Sequence, residues 1–200
     1  MSRAYVFPGQ GAQAIGMGKA LAEAYPQARA VFDEVDEALG EKLSAVIWDG
    51  DIETLTLTAN AQPALMATSI AALRALEVEG FGIGQAAYVA GHSLGEYSAL
   101  CAAGALGLAD TARLLRIRGR AMQEAVPVGT GAMAAVLGLP SDQVNAICQE
   151  AQDSFGAGSA EVVQAANFND PGQTVISGSK AGVDKACEML KAAGAEVEVK

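Results

Sequence analysis

The chain has 200 residues, 51% of them hydrophobic, which is enough to bury a core in one large domain or two small ones. Only 18% are charged, which argues against long disordered tails, and a net charge of −10 without any Lys/Arg-rich block argues against nucleic acid or an anionic membrane surface as a partner. No stretch is long and apolar enough to span a bilayer, the run at 4–7 is too short for a signal peptide, and three distant cysteines with a single histidine, His92, leave no Cys/His metal site and point to reduced thiols in the cytoplasm.

In chain order, residues 4–7 read as a short buried strand ended by Pro8-Gly9-Gln10-Gly11. Helices are predicted over 16–24 and 27–39, the second carrying Ala30, Val31, Val35 and Leu39 at helical spacing. Thr58-Ala59-Asn60-Ala61-Gln62-Pro63 opens a further helix over 64–79, with Pro63 in its first turn, where a missing N–H leaves nothing unpaired. Residues 86–90 form a second short apolar strand that runs into Gly91-His92-Ser93-Leu94-Gly95, and helices follow over 96–103 and 109–125. Helices alternating with short buried strands give an α/β sheet with helices on its faces. At Gly129-Thr130-Gly131, which reads as a hinge, the pattern changes. Strand, helix, strand, strand, helix and strand follow over 132–139, 141–154, 162–167, 174–177, 180–193 and 196–199, with Asn169-Asp170-Pro171-Gly172 as the central turn. That order is ferredoxin-like. The expected fold is therefore α/β, with a large subdomain at 1–128 and a βαββαβ small subdomain at 129–200.

Gly-x-Ser-x-Gly at 91–95 lies between an apolar strand and a helix. A sharp strand-to-helix turn needs glycine where a Cβ would meet neighbouring backbone, and it pushes the serine at its apex out of the sheet. Ser93 is thus a candidate nucleophile for acyl transfer. Its place at a helix N-terminus supplies a positive field, and the Leu94 amide is placed to meet a developing oxyanion. The simpler alternative is a serine that only caps the helix. Tyr97, Leu100 and Cys101 read as core behind the serine, and Glu96 as a first-turn partner of the helix dipole.

The turn Phe7-Pro8-Gly9-Gln10-Gly11-Ala12-Gln13 also matches a dinucleotide fingerprint, Gly9-x-Gly11-x-x-Ala14, but the acidic residues at the required distance, Asp33 and Glu34, fall inside a helical pattern rather than at a strand end. A turn facing the elbow is the better reading, with Gln10 as a second oxyanion donor. The helix over 110–125 carries four arginines. At about 100° per residue, Leu114, Leu115, Ala121, Met122 and Ala125 fall within about 60° of Arg118, whereas Arg113, Arg116 and Arg120 fall on the other side and read as solvated. A guanidinium in an apolar stripe needs an anion, either an internal Asp/Glu or a ligand carboxylate, and the pattern leaves both open.

Together these motifs resemble the malonyl-coenzyme A:acyl-carrier-protein transacylase family. The resemblance rests on residues 7–13, Gln62-Pro63-Ala64-Leu65, Gly91-His92-Ser93-Leu94-Gly95-Glu96-Tyr97, Arg118-Gly119-Arg120-Ala121-Met122, Gly129-Thr130-Gly131-Ala132-Met133 and residues 167–178. It implies an α/β-hydrolase-like large subdomain with a ferredoxin-like insert. It also implies a ping-pong reaction in which Ser93 takes malonyl from coenzyme A and passes it to the phosphopantetheine thiol of an acyl carrier protein, in fatty acid or polyketide synthesis. In this reading Gln10 and the Leu94 amide form the oxyanion hole, Arg118 holds the malonyl carboxylate, and Gln62 joins it in substrate binding. Leu94 suits malonyl rather than branched units. No cofactor or metal is implied, since the coenzyme A thioester is a substrate, and a monomer is expected. The family's base is a histidine shortly after the insert, a segment these 200 residues do not contain. His92, turned away from Ser93 Oγ in an elbow, is not expected to replace it. The chain therefore reads as an N-terminal portion with no base. A serine hydrolase or thioesterase on the same elbow, and a non-catalytic fragment that binds coenzyme A or carrier protein, are the alternatives.

Overall fold

The computed structural model describes residues 3–125 and 129–199. Met1-Ser2, the stretch 126–128 where the subdomain boundary is expected, and Lys200 lie outside the described residues. The chain divides into two compact units, Met1–Ala125 and Val126–Lys200.

The first unit runs β1 (Arg3–Phe7), α1 (Lys19–Ala24), α2 (Pro26–Leu39), α3 (Leu43–Asp49), α4 (Ile52–Thr56), α5 (Thr58–Val78), a 3-10 turn at Ile83–Gln85, β2 (Ala86–Gly91), α6 (Leu94–Ala102) and α7 (Leu108–Ala125). β1 and β2 pair in parallel with Phe7 opposite Gly91, so both strands end at one sheet edge and the turns that leave them become neighbours. α2 opens on Pro26 at its first positions and closes on Gly40 in the left-handed region, and it buries Ala28, Val31, Phe32 and Val35. α5 buries residues all round its N-terminal half, which makes it the central helix of the core. Its Met66 and Ile70 cluster with Phe32, Leu43, Ile47, Leu55, Leu94 and Leu115 from the elements around it.

Several expectations need correction. The strands are not fully buried: Phe7 is, but Val6 is 75% exposed and Tyr88 74%. An apolar run shows that a strand forms; it does not show that both faces are covered. The first predicted helix begins only at Lys19, because Gly16 and Gly18 hold left-handed turns before it. α3 and α4 occupy a region where no periodicity was legible, and α4 is started by Asp51, whose carboxylate accepts the Thr54 N–H at 2.7 Å. α5 starts at Thr58, so Pro63 is inside the helix rather than in its first turn. Leu100, expected in the core, is 41% exposed.

The second unit runs β3 (Gly131–Leu137), α8 (Ser141–Asp153), β4 (Val163–Asp170), β5 (Gln173–Ser179), α9 (Lys180–Ala192) and β6 (Glu196–Val199). Its four strands pair antiparallel in the order β4-β5-β3-β6. β4 and β5 run further into the predicted turn than expected and leave only Pro171-Gly172 between them. Ala134, Val136 and Ile176 pack with Val144, Cys148, Val183 and Leu190 in a core separate from that of the first unit. Among the described residues, no helix is long and apolar enough to cross a membrane.

Candidate active site

Ser93 stands between the end of β2 and the first residue of α6, with φ 55° and ψ −112°. Among the described residues it is the one non-glycine with positive φ. A side chain in that region is strained, and the flanking glycines are what permit it. A Cβ on Gly91 would stand 1.9 Å from the Gly95 carbonyl oxygen, and one on Gly95 would stand 2.3 Å from that of Phe7. The turn is therefore closed against its own helix and against the end of β1. The His92 N–H donates to Phe7 O at 3.2 Å, and a Cβ on Gly9 would meet the His92 ring at 2.6 Å. The glycine turn after β1 thus lies along the elbow, as expected for the segment that carries Gln10. The Gln10 side chain itself donates to Thr58 Oγ1 at 3.4 Å.

Ser93 occupies the N-cap position, but its hydroxyl makes no capping hydrogen bond. Its Oγ instead accepts from Arg118 Nη2 at 3.0 Å. The reading of Ser93 as a mere helix cap therefore fails, because the hydroxyl is exposed and turned toward a cation. The Leu94 side chain is buried, and its N–H opens the first turn of α6. It is one of the first-turn N–H groups of α6, next to the serine, a class of donor with no acceptor inside its own helix.

Arg118 belongs to α7 and also donates to Gln62 Oε1 at 2.7 Å, with its guanidinium 5.8 Å from the centre of the Tyr97 ring. Gln62 is fully buried on α5, and its amide nitrogen donates to Met122 Sδ at 3.3 Å. Among the described residues no Asp or Glu pairs with Arg118. Ser93, Arg118 and Gln62 thus form one hydrogen-bonded line from the N-cap of α6 through α7 to α5.

Of the stripe predicted on α7 only Leu115 lies on its buried face. That face is Thr111, Ala112, Leu115, Arg116 and Gly119, while Leu114 and Met122 are 43% and 49% exposed. Arg116, expected in solvent, is the buried arginine, and Arg118 is half-buried. The periodicity located apolar residues but not the neighbour, and α7 packs on α5 through its small residues. Burial pulls the Arg116 pKa below its ordinary value, with the positive charge of Arg120 adding to the effect. Its guanidinium is held by Glu41, the Asn60 amide oxygen and the Ala59 carbonyl, the last at 2.8 Å.

Residues 4–200 match the family described as "Acyl transferase domain".

The chain belongs to the acyl transferase domain family.

It is 50% identical over 193 residues to the malonyl CoA-acyl carrier protein transacylase of Bacillus subtilis, an alignment that takes in 96% of this chain and 58% of that protein. A solved acyl-carrier-protein-S-malonyltransferase from Bartonella henselae superposes with a TM-score of 0.92 at 53% identity, covering 100% of this chain and 62% of the other. A type II PKS acyl-carrier protein in complex with its malonyl-transacylase matches at a TM-score of 0.90 and 42% identity, again over 100% of this chain and 62% of that one. The chain therefore spans about 60% of the length of the relatives it matches.

Within this acyl transferase chain, the sequence did not reveal Tyr97 as a neighbour of the site. It is four residues after Ser93 on α6, a spacing that puts the two on one helix face. Thr58, the partner of the Gln10 side chain, carried no signal. Among the described residues no cluster of His, Cys, Asp or Glu is placed to hold a metal ion.

Proposed function

We propose that the protein carrying this segment transfers a malonyl group from coenzyme A to the phosphopantetheine thiol of an acyl carrier protein. The observation that carries the reading is Arg118. It is a half-buried cation without a carboxylate partner among the described residues, 3.0 Å from the hydroxyl of a strained serine. A fork of N–H donors at that distance suits an acyl group with a second carboxylate, because the carboxylate pairs with the guanidinium while the thioester carbonyl meets Ser93 Oγ.

Ser93 Oγ attacks the malonyl thioester carbonyl and loses its proton to a base. The oxyanion is met by the Leu94 N–H and a donor from Gln10, and coenzyme A leaves as the protonated thiol. The carrier-protein thiol then attacks the ester, and Ser93 regains its proton. The base that the family resemblance assigns to a histidine belongs, in this reading, to the part of the relatives' length that this chain does not span. His92, whose ring lies against Gly9, is not assigned the role. The reaction needs no cofactor. We further infer that the first unit is α/β-hydrolase-like and the second ferredoxin-like, with the strand order β4-β5-β3-β6 supporting the latter. The protein is proposed to work as a cytoplasmic monomer in fatty acid synthesis.

Incubating the full-length protein with malonyl-coenzyme A should yield a malonyl adduct on the peptide containing Ser93, read by mass spectrometry. An adduct that persists in Ser93→Ala would refute the assignment. Arg118→Ala removes a charge-assisted pair of about 1.5–3 kcal/mol, so malonyl transfer should fall roughly 10- to 150-fold while acetyl transfer falls much less. Equal loss on both substrates would contradict the carboxylate role.

A further inference from the structure

Arg116 is buried, charged and unused by the proposed chemistry, and its contacts have a local cause. In an α-helix the N–H of residue 63 would donate to the carbonyl of residue 59. Pro63 has no N–H, so within α5 the Ala59 carbonyl is left without that partner. Arg116 Nη1 supplies the missing hydrogen bond at 2.8 Å and donates to the Asn60 amide oxygen as well. The Ala59 N–H in turn donates to Gln123 Oε1 at 2.8 Å. Midway between Arg116 and Gln123 is Gly119, where an added Cβ would stand 2.6 Å from Ala59 Cα. Three residues on one face of α7 therefore meet one residue of α5, Ala59, at its carbonyl, its N–H and its Cα. Gln62, which bonds Arg118, is one helical turn further along α5.

We propose that Arg116 is a positioning residue, whose guanidinium takes the hydrogen bond that Pro63 withholds from Ala59 and so holds Gln62 where it orients Arg118 toward the acyl carboxylate. The inference rests on the reading of Arg118 as the carboxylate-binding residue. Arg116 touches neither Ser93 nor the substrate; it acts through the register of α5 on α7. Glu41, 45% exposed at the side-chain level, neutralises the buried cation from the surface side.

The test uses the full-length protein with malonyl- and acetyl-coenzyme A. Arg116→Met should raise KM for malonyl-coenzyme A about tenfold with a much smaller change in kcat, because what is lost is binding shared by ground and transition states. The malonyl-over-acetyl preference should fall with it. Arg116→Lys, which keeps a donor and a charge, should restore part of the preference. Pro63→Ala returns an N–H to α5, so Pro63→Ala/Arg116→Met should recover KM to within about threefold, as two residues serving one carbonyl are coupled. An unchanged malonyl preference in a folded Arg116→Met protein would overturn the proposal, as would a double variant no better than the single one. If Arg116→Met does not fold, the same comparison made with Arg116→Lys alone and with Pro63→Ala decides it. Loss of all transfer in Ser93→Ala, by contrast, tests only the underlying function.

Discussion

At the scale of single residues, the site depends on atoms that are absent. Ser93 holds a backbone conformation that L-residues avoid, and it does so because Gly91 and Gly95 let the turn close on itself and on the end of β1. Gly95→Ala would place a methyl 2.3 Å from Phe7 O and 2.8 Å from Pro8 O, both backbone atoms tied into a strand end and its turn. The expected cost is about 3 kcal/mol, the upper end for overpacking, with loss of acylation at Ser93. Chemical denaturation together with an acylation assay checks it, and a protein of unchanged stability would show the elbow to be looser than it looks. The elbow was legible because its spacing reflects this backbone constraint directly. Arg118 was legible as an unusual arginine, but the stripe used to single it out is exposed apart from Leu115, and the buried cation is two residues away at Arg116.

At the scale of elements, the α5–α7 crossing decides where the site residues meet. Gly119 allows the two helices to approach so closely that its Cβ position is 2.6 Å from both Ala59 Cα and Thr58 O. Gly119→Ala must push the helices apart, at a cost of about 1–3 kcal/mol. It should also lengthen the Arg118–Gln62 contact, so KM for the malonyl substrate should rise along with the loss of thermal stability. A variant that loses stability while keeping KM would separate the crossing from the site. Pro63 shows how local rules mislead here. Proline favours the first helical turn, and that preference sets the predicted start of α5 too late. The extra turn is tolerated because an arginine from another helix bonds the carbonyl that proline leaves open.

At the scale of the molecule, two cores form within two sequence-contiguous units. The three cysteines are buried and free, Cys101 in the first unit and Cys148 and Cys187 in the second. Burial pushes the Cys148 thiol from 9.0 up to about 11, and raises Cys101 and Cys187 as well. A group whose pKa is raised on folding contributes stability that is present below its unfolded pKa and lost as pH rises through the folded one. The Cys148 contribution should therefore fade between pH 9.0 and about 11. At pH 8 iodoacetamide should label none of the three in the folded protein and all three in denaturant, as intact mass will report. Labelling of the folded protein at the rate of a free thiol would mean that these cores open readily.

The sequence by itself determined the α/β class, the order of the strands and helices after Gly129, the elbow with its serine, and the glycine turn that lies beside it. Each is set by local stereochemistry: a period of two or 3.6, a proline, or a glycine where a Cβ cannot fit. Tertiary structure alone decided which face of α7 is buried, that the strands leave Val6 and Tyr88 open, and that Ser93, Arg118, Gln62 and Tyr97 come together. Those facts depend on which surface each element meets. A side-chain period shows that an element has two faces, and only the packed neighbour selects the one turned inward.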